Sequence, residues 1–410
     1  MVLDLLTIWF CKGLYVLLRL VGKHGGALPG MCAEKLRPGL LSKLNNLPEG
    51  ILVVSGTNGK TTTTHLLSQV LRANGMKVFT NHSGSNMTRG ILSSIVRFTT
   101  ISGKLNYDIA VLEIDEAYGA LLGPQLKPRG VILTNVLRDQ LDRFGEIDHT
   151  ANLLFKLAES TKEIVVFNAT DSRLAKLAKL PINAKKITYG YDQTIAKNFV
   201  DDDLLYGGEA VSPKLNYILK DYKNGQIKMN KKTIKVSGLP GWHNALNVLA
   251  VYSLCSDLFG ITQPEVYEHL SLPYGRGEVV EYRGKQLILQ LVKNPAGFKT
   301  VIDIYNDLPA MVIINDNIAD GRDVSWLWDV DFGAFSKRPS LYVSGMRAHD
   351  MALRLKYDDL TTDSIITDIP QAIDNFIDQA DGGIVFLTYT SMLQVRTYLK
   401  TKGAKLGVKK

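Results

Sequence analysis

From Gly50 onward, short apolar runs alternate with stretches whose apolar residues recur at helical spacing. Ile51 to Val54, Ile109 to Ile114, Val131 to Asn135 and Ile164 to Asn168 read as buried parallel strands. Strands alternating with helices in this way predict a doubly wound α/β sheet. Tyr191 to Lys235 breaks the rhythm, being polar and rich in Asp, Lys and Tyr, and reads as an insertion or a small antiparallel excursion before regular helix resumes at Asn244. Leu272 to Gly284, with Pro273, Gly275, Gly277 and Gly284, has the composition of a linker or hinge. Beyond it the alternation restarts with Leu287 to Leu291, a helix opened by Pro295, Ala310 to Ile314, Leu341 to Ser344, a helix through Met351, and Ile384 to Tyr389 before a final helix. The pattern divides the chain into a helical lead-in (1–45), a central α/β unit (46–274) and a C-terminal α/β unit (275–410).

The lead-in is apolar from Leu3 to Val21, but Asp4, Lys12 and Arg19 interrupt it and no small-residue cleavage site follows, so neither a membrane span nor a signal peptide is expected. Leu5, Leu6, Trp9, Leu14, Leu17 and Leu20 recur at helical spacing. They predict an amphipathic helix packed on the first domain, with a membrane-surface helix as the alternative.

Composition changes this picture little. The 410 residues, 45% hydrophobic and 21% charged, are ordinary for a globular chain and allow roughly two or three domains. The net charge of +8 favours an acidic partner, but Lys400, Lys402, Lys405, Lys409 and Lys410 crowd the last eleven residues and read as a solvated tail. No nucleic-acid partner is expected. Three cysteines, Cys11, Cys32 and Cys255, match neither a disulfide framework nor a zinc knuckle, which fits a reduced cytosolic compartment.

The chemistry-bearing signals begin at Val53-Val54-Ser55-Gly56-Thr57-Asn58-Gly59-Lys60-Thr61-Thr62, a strand running into a glycine-containing turn and then a helix. Glycines let backbone N–H groups converge on phosphate oxygens, the helix N-terminus adds its positive end, Lys60 supplies a charge for the β/γ-phosphates, and the Thr61 hydroxyl suits Mg²⁺. Val54 stands where a full P-loop has its first glycine, and the plain alternative is a βα turn. Glu113-Ile114-Asp115-Glu116 ends another apolar run, and strand alternation places Glu113 and Asp115 on one face as hard oxygen ligands, against the alternative of an acid-rich helix start. Thr134-Asn135 with its acidic continuation to Gly145, Asn168-Ala169-Thr170-Asp171, and Gly241-Trp242-His243-Asn244-Ala245-Leu246-Asn247 are, taken singly, turn and cap residues.

Taken in order, GTNGKT, ExDE, the TN segment, NATD, GxHNxxN and Gly275-Arg276-Gly277-Glu278 resemble the Mur ligase superfamily over nearly the whole chain. The resemblance implies a P-loop-containing central domain at 46–274, a Rossmann-like C-terminal α/β domain at 275–410, and ATP-driven phosphorylation of a carboxylate followed by attack of an amine. It implies that Gly56, Thr57, Asn58, Gly59, Lys60 and Thr61 bind ATP phosphates, that Glu113 with Thr61 holds Mg²⁺, that Asn244 and Asn247 lie near the nucleotide, and that Asn168 and Asp171 lie nearer its base and ribose. Gln140 stands where most members have His, and Lys156 is the nearest match to a lysine that some members carry carbamylated. Lys293 replaces the His of a His-Asn-Pro triplet whose Asn294 and Pro295 are kept.

TNVLRDQLDRFGEID, LVKNPAGF, DGRDVSWLWDVDF and SGMRAHDMALRLKY are similar to the MurT-type subunits of lipid II isoglutaminyl synthase. That branch implies amidation of the D-Glu α-carboxylate of the lipid II stem peptide, with ammonia delivered by a GatD-type glutaminase partner at the inner membrane face. Asp350 matches the catalytic C-terminal aspartate, with roles on ammonium, on the partner's histidine or as proton acceptor left open, beside a plain helix-cap alternative. Arg322 and Arg347 are candidate phosphate or carboxylate clamps. A glutaminase needs a nucleophilic cysteine on an exposed elbow, and none of the three cysteines sits in such a pattern. No structural zinc is expected, because Tyr191 to Gly241 lacks cysteine; aromatic and polar packing around Tyr206 and Tyr217 is expected instead. The alternative is a Mur or folylpolyglutamate-type ligase that adds an amino acid.

Overall fold

The computed structural model describes residues 2–20, 27–81, 86–137, 147–199, 214–230, 232–236 and 238–407. Gln140, Tyr206, Lys409 and Lys410, singled out above, lie outside the described residues. Helices α1 (Val2–Leu20) and α2 (Ala27–Leu36) lead into β1 (Ile51–Ser55), α3 (Lys60–Ala73), β2 (Val78–Thr80), α4 (Thr88–Phe98), β3 (Ile109–Glu113), α5 (Glu116–Leu126) and β4 (Gly130–Leu133). There follow α6 (Ile147–Glu159), β5 (Ile164–Asn168), α7 (Ser172–Leu177), β6 (Lys185–Tyr191), β7 (Tyr217–Lys223), β8 (Gln226–Met229), β9 (Lys232–Lys235), α8 (Trp242–Phe259) and α9 (Glu265–Glu268). The first sheet has the order β2-β3-β1-β4-β5-β6-β7-β8-β9, parallel from β2 through β7 and antiparallel across β7-β8-β9. The polar stretch is therefore an antiparallel extension of the main sheet.

Continuous apolar runs are needed because both faces of this sheet are covered. Ile51 and Val53 of β1 face a core shared with α1, α2, α4, α5 and α6, whereas Leu52 and Val54 face a second core with α3 and α8. In the extension Tyr217 donates from its hydroxyl to Asp257 at 2.6 Å and meets Tyr252 edge to face, as expected of aromatic packing there.

The second unit comprises β10 (Arg276–Tyr282), β11 (Lys285–Leu291), α10 (Pro295–Ile302), β12 (Ala310–Ile313), β13 (Leu341–Ser344), α11 (Ala348–Lys356), β14 (Ser364–Ile366), α12 (Ile369–Ala380), β15 (Gly383–Leu387), α13 (Tyr389–Thr401) and β16 (Lys405–Leu406). Its sheet order is β14-β13-β12-β15-β11-β10-β16, with β10 antiparallel to both neighbours. Here the composition of a linker belongs mostly to a strand and its turn. Most of Leu272 to Gly284 is β10 and the turn into β11; Arg283 and Gly284 both take positive φ, the geometry of a tight two-residue hairpin turn. The glycines that suggested a linker are turn and close-approach residues: a Cβ on Gly275 would strike the Met392 sulfur.

The lead-in helix also packs differently from expectation. Ile8 and Cys11 are its buried residues with Thr7, while Leu6, Trp9, Leu17 and Leu20 are 49% to 81% exposed. The domain it leans on meets it through α2 and α4, and α2 lies so close to α4 that a Cβ on Gly30 would collide with the Arg89 carbonyl.

Gly30→Val should force these helices apart and destabilise the chain by about 1–3 kcal/mol, whereas Gly39→Ala, whose added carbon meets nothing within 4 Å, should change it little. Urea midpoints followed by circular dichroism distinguish the two; equal midpoints would contradict the close packing.

Candidate functional site

The P-loop leaves the C-terminal end of β1, between β3 on one side and β4 on the other, where the chain's strand order reverses and ligand crevices form. Gly56 and Gly59 have φ of 126° and 83°. A Cβ on Gly56 would strike the Thr134 hydroxyl, and one on Gly59 would sit 3.0 Å from the Asn247 side-chain oxygen, so only glycine lets the loop pass between the β4 edge and α8.

The turn after β4 fixes the loop. Thr57 N–H donates to the Asn135 carbonyl at 2.9 Å, Asn58 N–H to Asn135 Oδ1 at 2.8 Å, and Thr134 Oγ1 to the Asn58 carbonyl at 2.7 Å. Thr57 Oγ1 also accepts from Leu137 N–H at 3.0 Å. Asn168 Nδ2 in turn donates to the Thr134 carbonyl at 2.7 Å, and Asp171 Oδ2 accepts from Val136 N–H at 2.7 Å while its Oδ1 caps α7 through Arg173 and Leu174. Asn168 and Asp171 thus line the cavity while bonding the loop that holds the P-loop.

Lys60 is buried, with its ammonium folded onto the Gly56 and Thr57 carbonyls and 3.2 Å from Glu116 Oε1. Glu116 therefore serves as the lysine's counter-ion at the start of α5. Glu113, the last residue of β3, is buried, and its main chain is clamped by the Asn81 amide at 2.8 and 2.9 Å. The expectation that Asp115 shares its face fails because the strand ends at Glu113: Asp115 is the N-cap of α5 and accepts from Ala117 N–H at 3.3 Å.

Two links join the units at this point. The Asn58 and Asn294 amides exchange hydrogen bonds at 3.1 and 3.4 Å, while Asn294 Oδ1 also caps α10 by accepting from Gly297 N–H at 2.7 Å. Arg276 reaches from the start of β10 to Thr61 Oγ1 at 3.4 Å; burial lowers its pKa, and the nearby Glu113 charge opposes that shift. Glu278, two residues on, faces the other way and holds Arg396 through both carboxylate oxygens at 3.0 and 3.1 Å.

Between the units lies a cavity of about 560 Å³, the size of a nucleotide site. Asn58, Gly59, Asn168, Asp171, Asn244 and Asn247 line it, as expected from the sequence. So does an aromatic wall that motif reasoning missed: Tyr191 stacks on Phe199 at 4.0 Å and Phe199 meets Trp242 edge on. No local signal marks Tyr191 and Phe199, which converge with Trp242 only through the sheet and α8. His243, also on this wall, keeps some exposed surface but is packed round by protein, and that enclosure, with Arg276 nearby, pulls its pKa down to about 4.

Asp350 is placed elsewhere. It is the third residue of α11, 54% exposed, pairs with Arg347 at 3.3 Å, and is absent from the cavity wall. Arg347, itself at the cap position, forks onto Asp316 Oδ2 at 2.9 and 2.6 Å, so Asp350 is not the helix cap. Arg322 is exposed in a turn with φ of 57°, and Lys156 is exposed on α6; neither lines the cavity. Among the described residues, no three His, Cys, Asp or Glu side chains form a metal cage. The buried Glu113 carboxylate and the Thr61 hydroxyl, each beside Arg276, are donor types that fit Mg²⁺, which takes few protein ligands and completes its shell with water and phosphate oxygens.

Residues 54–255 match the Mur ligase middle domain family, and residues 291–392 match the MurT ligase C-terminal family. The chain belongs to the Mur ligase family. Its branch is that of MurT: it is 30% identical, over 91% of its own length and 92% of the relative's, to the lipid II isoglutaminyl synthase (glutamine-hydrolyzing) subunit MurT of Staphylococcus aureus strain COL. It is 29% identical, over 92% and 93%, to the subunit of the same name from Streptococcus pneumoniae R6. The fold is that of MurF from Thermotoga maritima, solved with ADP, at a TM-score of 0.65 and 18% identity over 91% of this chain and 83% of that one. A bifunctional folylpolyglutamate synthase/dihydrofolate synthase, solved with Mn, AMPPNP and L-glutamate, gives 0.62 and 17% over 90% and 93%.

A histidine with a folded pKa of about 4 stabilises the fold above its usual 6.5, and that contribution is lost as pH falls from 6.5 toward 4. His243→Gln should therefore lose less stability than the wild type between pH 7 and pH 5, by up to roughly 2 kcal/mol. Urea unfolding at the two pH values measures it, and identical losses would place the histidine in solvent.

Proposed function

We propose that this chain is the ATP-dependent synthetase subunit that amidates the D-Glu α-carboxylate of the lipid II stem peptide, using ammonia from a glutaminase partner of the GatD type. The observation that carries the reading is the similarity to isoglutaminyl synthase subunits along 91% of the chain, running through both the P-loop unit and the C-terminal unit. The cysteines support the need for a partner. Burial raises the Cys255 thiol pKa, and pushes Cys11 up to about 11 with a smaller contribution from Cys32, which itself lies half-buried within α2. None has the exposed, activated setting of a glutaminase nucleophile.

The substrate carboxylate attacks the γ-phosphorus of ATP and ADP leaves; ammonia then attacks the acyl phosphate carbonyl, loses a proton, and phosphate departs. The loop from Gly56 to Thr61 presents its backbone N–H groups and the start of α3 to the phosphates, and Lys60 exchanges Glu116 for phosphate oxygens. Thr61 and Glu113 would hold Mg²⁺, which supplies neutralisation of the charge on the transferred phosphoryl group. Arg276, already at Thr61, adds a fixed positive charge from the second unit, so bringing the units together both completes the site and excludes the water that would hydrolyse the acyl phosphate. Asn244 and Asn247 on α8 and the Tyr191, Phe199 and Trp242 wall provide the polar and stacking contacts for the nucleoside. Asp350, exposed beside Arg347 at the end of β13, is open to a partner's surface and acts on the ammonia side of the reaction. Among the described residues no helix is long and apolar enough to cross a membrane, which accords with a chain that works peripherally at the cytoplasmic face, where lipid II presents its peptide.

Lipid II incubated with the chain, ATP and Mg²⁺ should gain one carboxamide by mass spectrometry, whether supplied with ammonium alone or with glutamine and the glutaminase. Lys60→Ala should lower turnover by roughly 10²–10³-fold or more. Asp350→Asn should keep ADP binding and lose amidation. Unchanged lipid II, with ATP consumed only when an amino acid is added, would establish an amino-acid ligase instead, and full amidation by Asp350→Asn would remove that residue from the mechanism.

A further inference from the structure

The exposed positions of α1 recur as Leu3, Leu6, Phe10, Gly13, Leu17 and Leu20, one stripe along the helix, and among its described side chains every exposed one is apolar or glycine. Leu3, Leu6, Phe10, Leu17 and Leu20 are 51% to 81% exposed. The helix is amphipathic in an unusual sense: its inward face carries Thr7, Ile8 and Cys11, and its outward face carries the bulk of its hydrocarbon. The stripe is widened by Ile101, 74% exposed, whose carbonyl accepts from the Trp9 indole at 2.8 Å. An apolar stripe this continuous, held on a domain surface, marks a docking face rather than scattered surface leucines.

Charge identifies the occupant. Residues 2–47 carry six Lys and Arg against two acids, Asp4 and Glu34, and residues 88–104 carry Arg89, Arg97 and Lys104 with no acid. Both acids are engaged by arginines, Asp4 by Arg37 at 2.7 Å and Glu34 by Arg89 at 2.8 Å. Three of the cations border the stripe: Lys12 Nζ donates to the Arg97 carbonyl at 3.0 Å, Arg97 lies over Tyr15 of α1 and over Phe98, and Lys43 Nζ donates to the Gly103 carbonyl, two residues from Ile101. Hydrocarbon bordered by cations, on a helix not apolar enough to span, is the pattern that seats in the headgroup layer of an anionic bilayer. A second copy of the same face would bring like charges together.

We propose that α1 lies in the surface of an anionic membrane, with Leu6, Phe10 and Leu17 in the acyl boundary and Lys12, Lys35, Arg97 and Lys104 over lipid phosphates. The placement deepens the lipid II reading. Helix α4 begins two residues after Asn86, whose carbonyl accepts from Asp115 N–H at 3.0 Å, and carries Arg97 beside α1, so one helix connects the docked face to the start of α5.

Flotation of the full chain with vesicles tests it without turnover, so this proposal and the ligase reading fail separately; amidation of detergent-solubilised lipid II tests the latter alone. The wild type should float with phosphatidylcholine vesicles containing phosphatidylglycerol and release as salt is raised. Leu6→Glu/Phe10→Glu/Leu17→Glu should cut partitioning by about 10-fold or more, and Lys35→Gln/Lys104→Gln should weaken the preference for anionic lipid, both with unchanged melting and ADP binding. Absence of wild-type flotation, or a triple variant that floats as well as the wild type, would overturn the proposal. A wild-type dimer that the triple variant dissolves, without flotation, would assign the face to a second copy.

Discussion

The site depends on the hydrogen-bonded seam between the P-loop and the turn after β4. A phosphate loop must leave its N–H groups facing a ligand while its remaining polar groups stay satisfied, and a short glycine-rich turn cannot do both alone. Here Asn135 accepts from Thr57 and Asn58, and Thr134 donates to the Asn58 carbonyl; Asn168 and Asp171 then hold Thr134 and Val136 from the next strand end. Sequence motifs more than a hundred residues apart are one assembly. The Asn168 side-chain nitrogen and Asp171 Oδ2 are occupied in holding that loop, while Asn168 Oδ1 accepts from Thr170 and Asp171 Oδ1 caps α7.

The second unit enters the site through a few polar contacts. Arg276 and Glu278 explain why a Gly-Arg-Gly-Glu sequence stands at the junction: one side chain crosses to Thr61, the other anchors the strand to Arg396 in its own unit. Gly275 permits the close passage against Met392. The Asn58–Asn294 amide pair adds a neutral, geometry-sensitive link, and Asn294 spends its other capacity on capping α10, which keeps the link in register with that helix. Each unit keeps its own two-sided core.

Lys60 and Asp350, both singled out from the sequence, stand in opposite settings. At the P-loop, charges are buried and paired, as in Lys60 with Glu116. At the end of β13, Asp350 and Arg347 stand in solvent, where an ion pair of this kind contributes little to stability.

Sequence determined the parallel strands of both sheets that are buried on two faces, because such strands leave unbroken apolar runs: β1, β3, β4 and β5, then β11, β12, β13 and β15. It also made the glycine turn after β1 and the carboxylates at the end of β3 legible as motifs, because each is a set of particular residue types at fixed spacing. Short or edge strands, β2, β10, β14 and β16, were illegible because few of their side chains need to be apolar, and the glycines around β10 gave the same composition as a hinge. Only the tertiary structure decided that Asp115 caps a helix, that Glu116 rather than solvent faces Lys60, and that Arg276 and Asn294 reach the P-loop. It alone turned α1 outward. Helical periodicity records that one face of a helix is apolar, but which side meets the protein depends on the packing partners, and α2 and α4 had room only for the narrow face carrying Ile8 and Cys11.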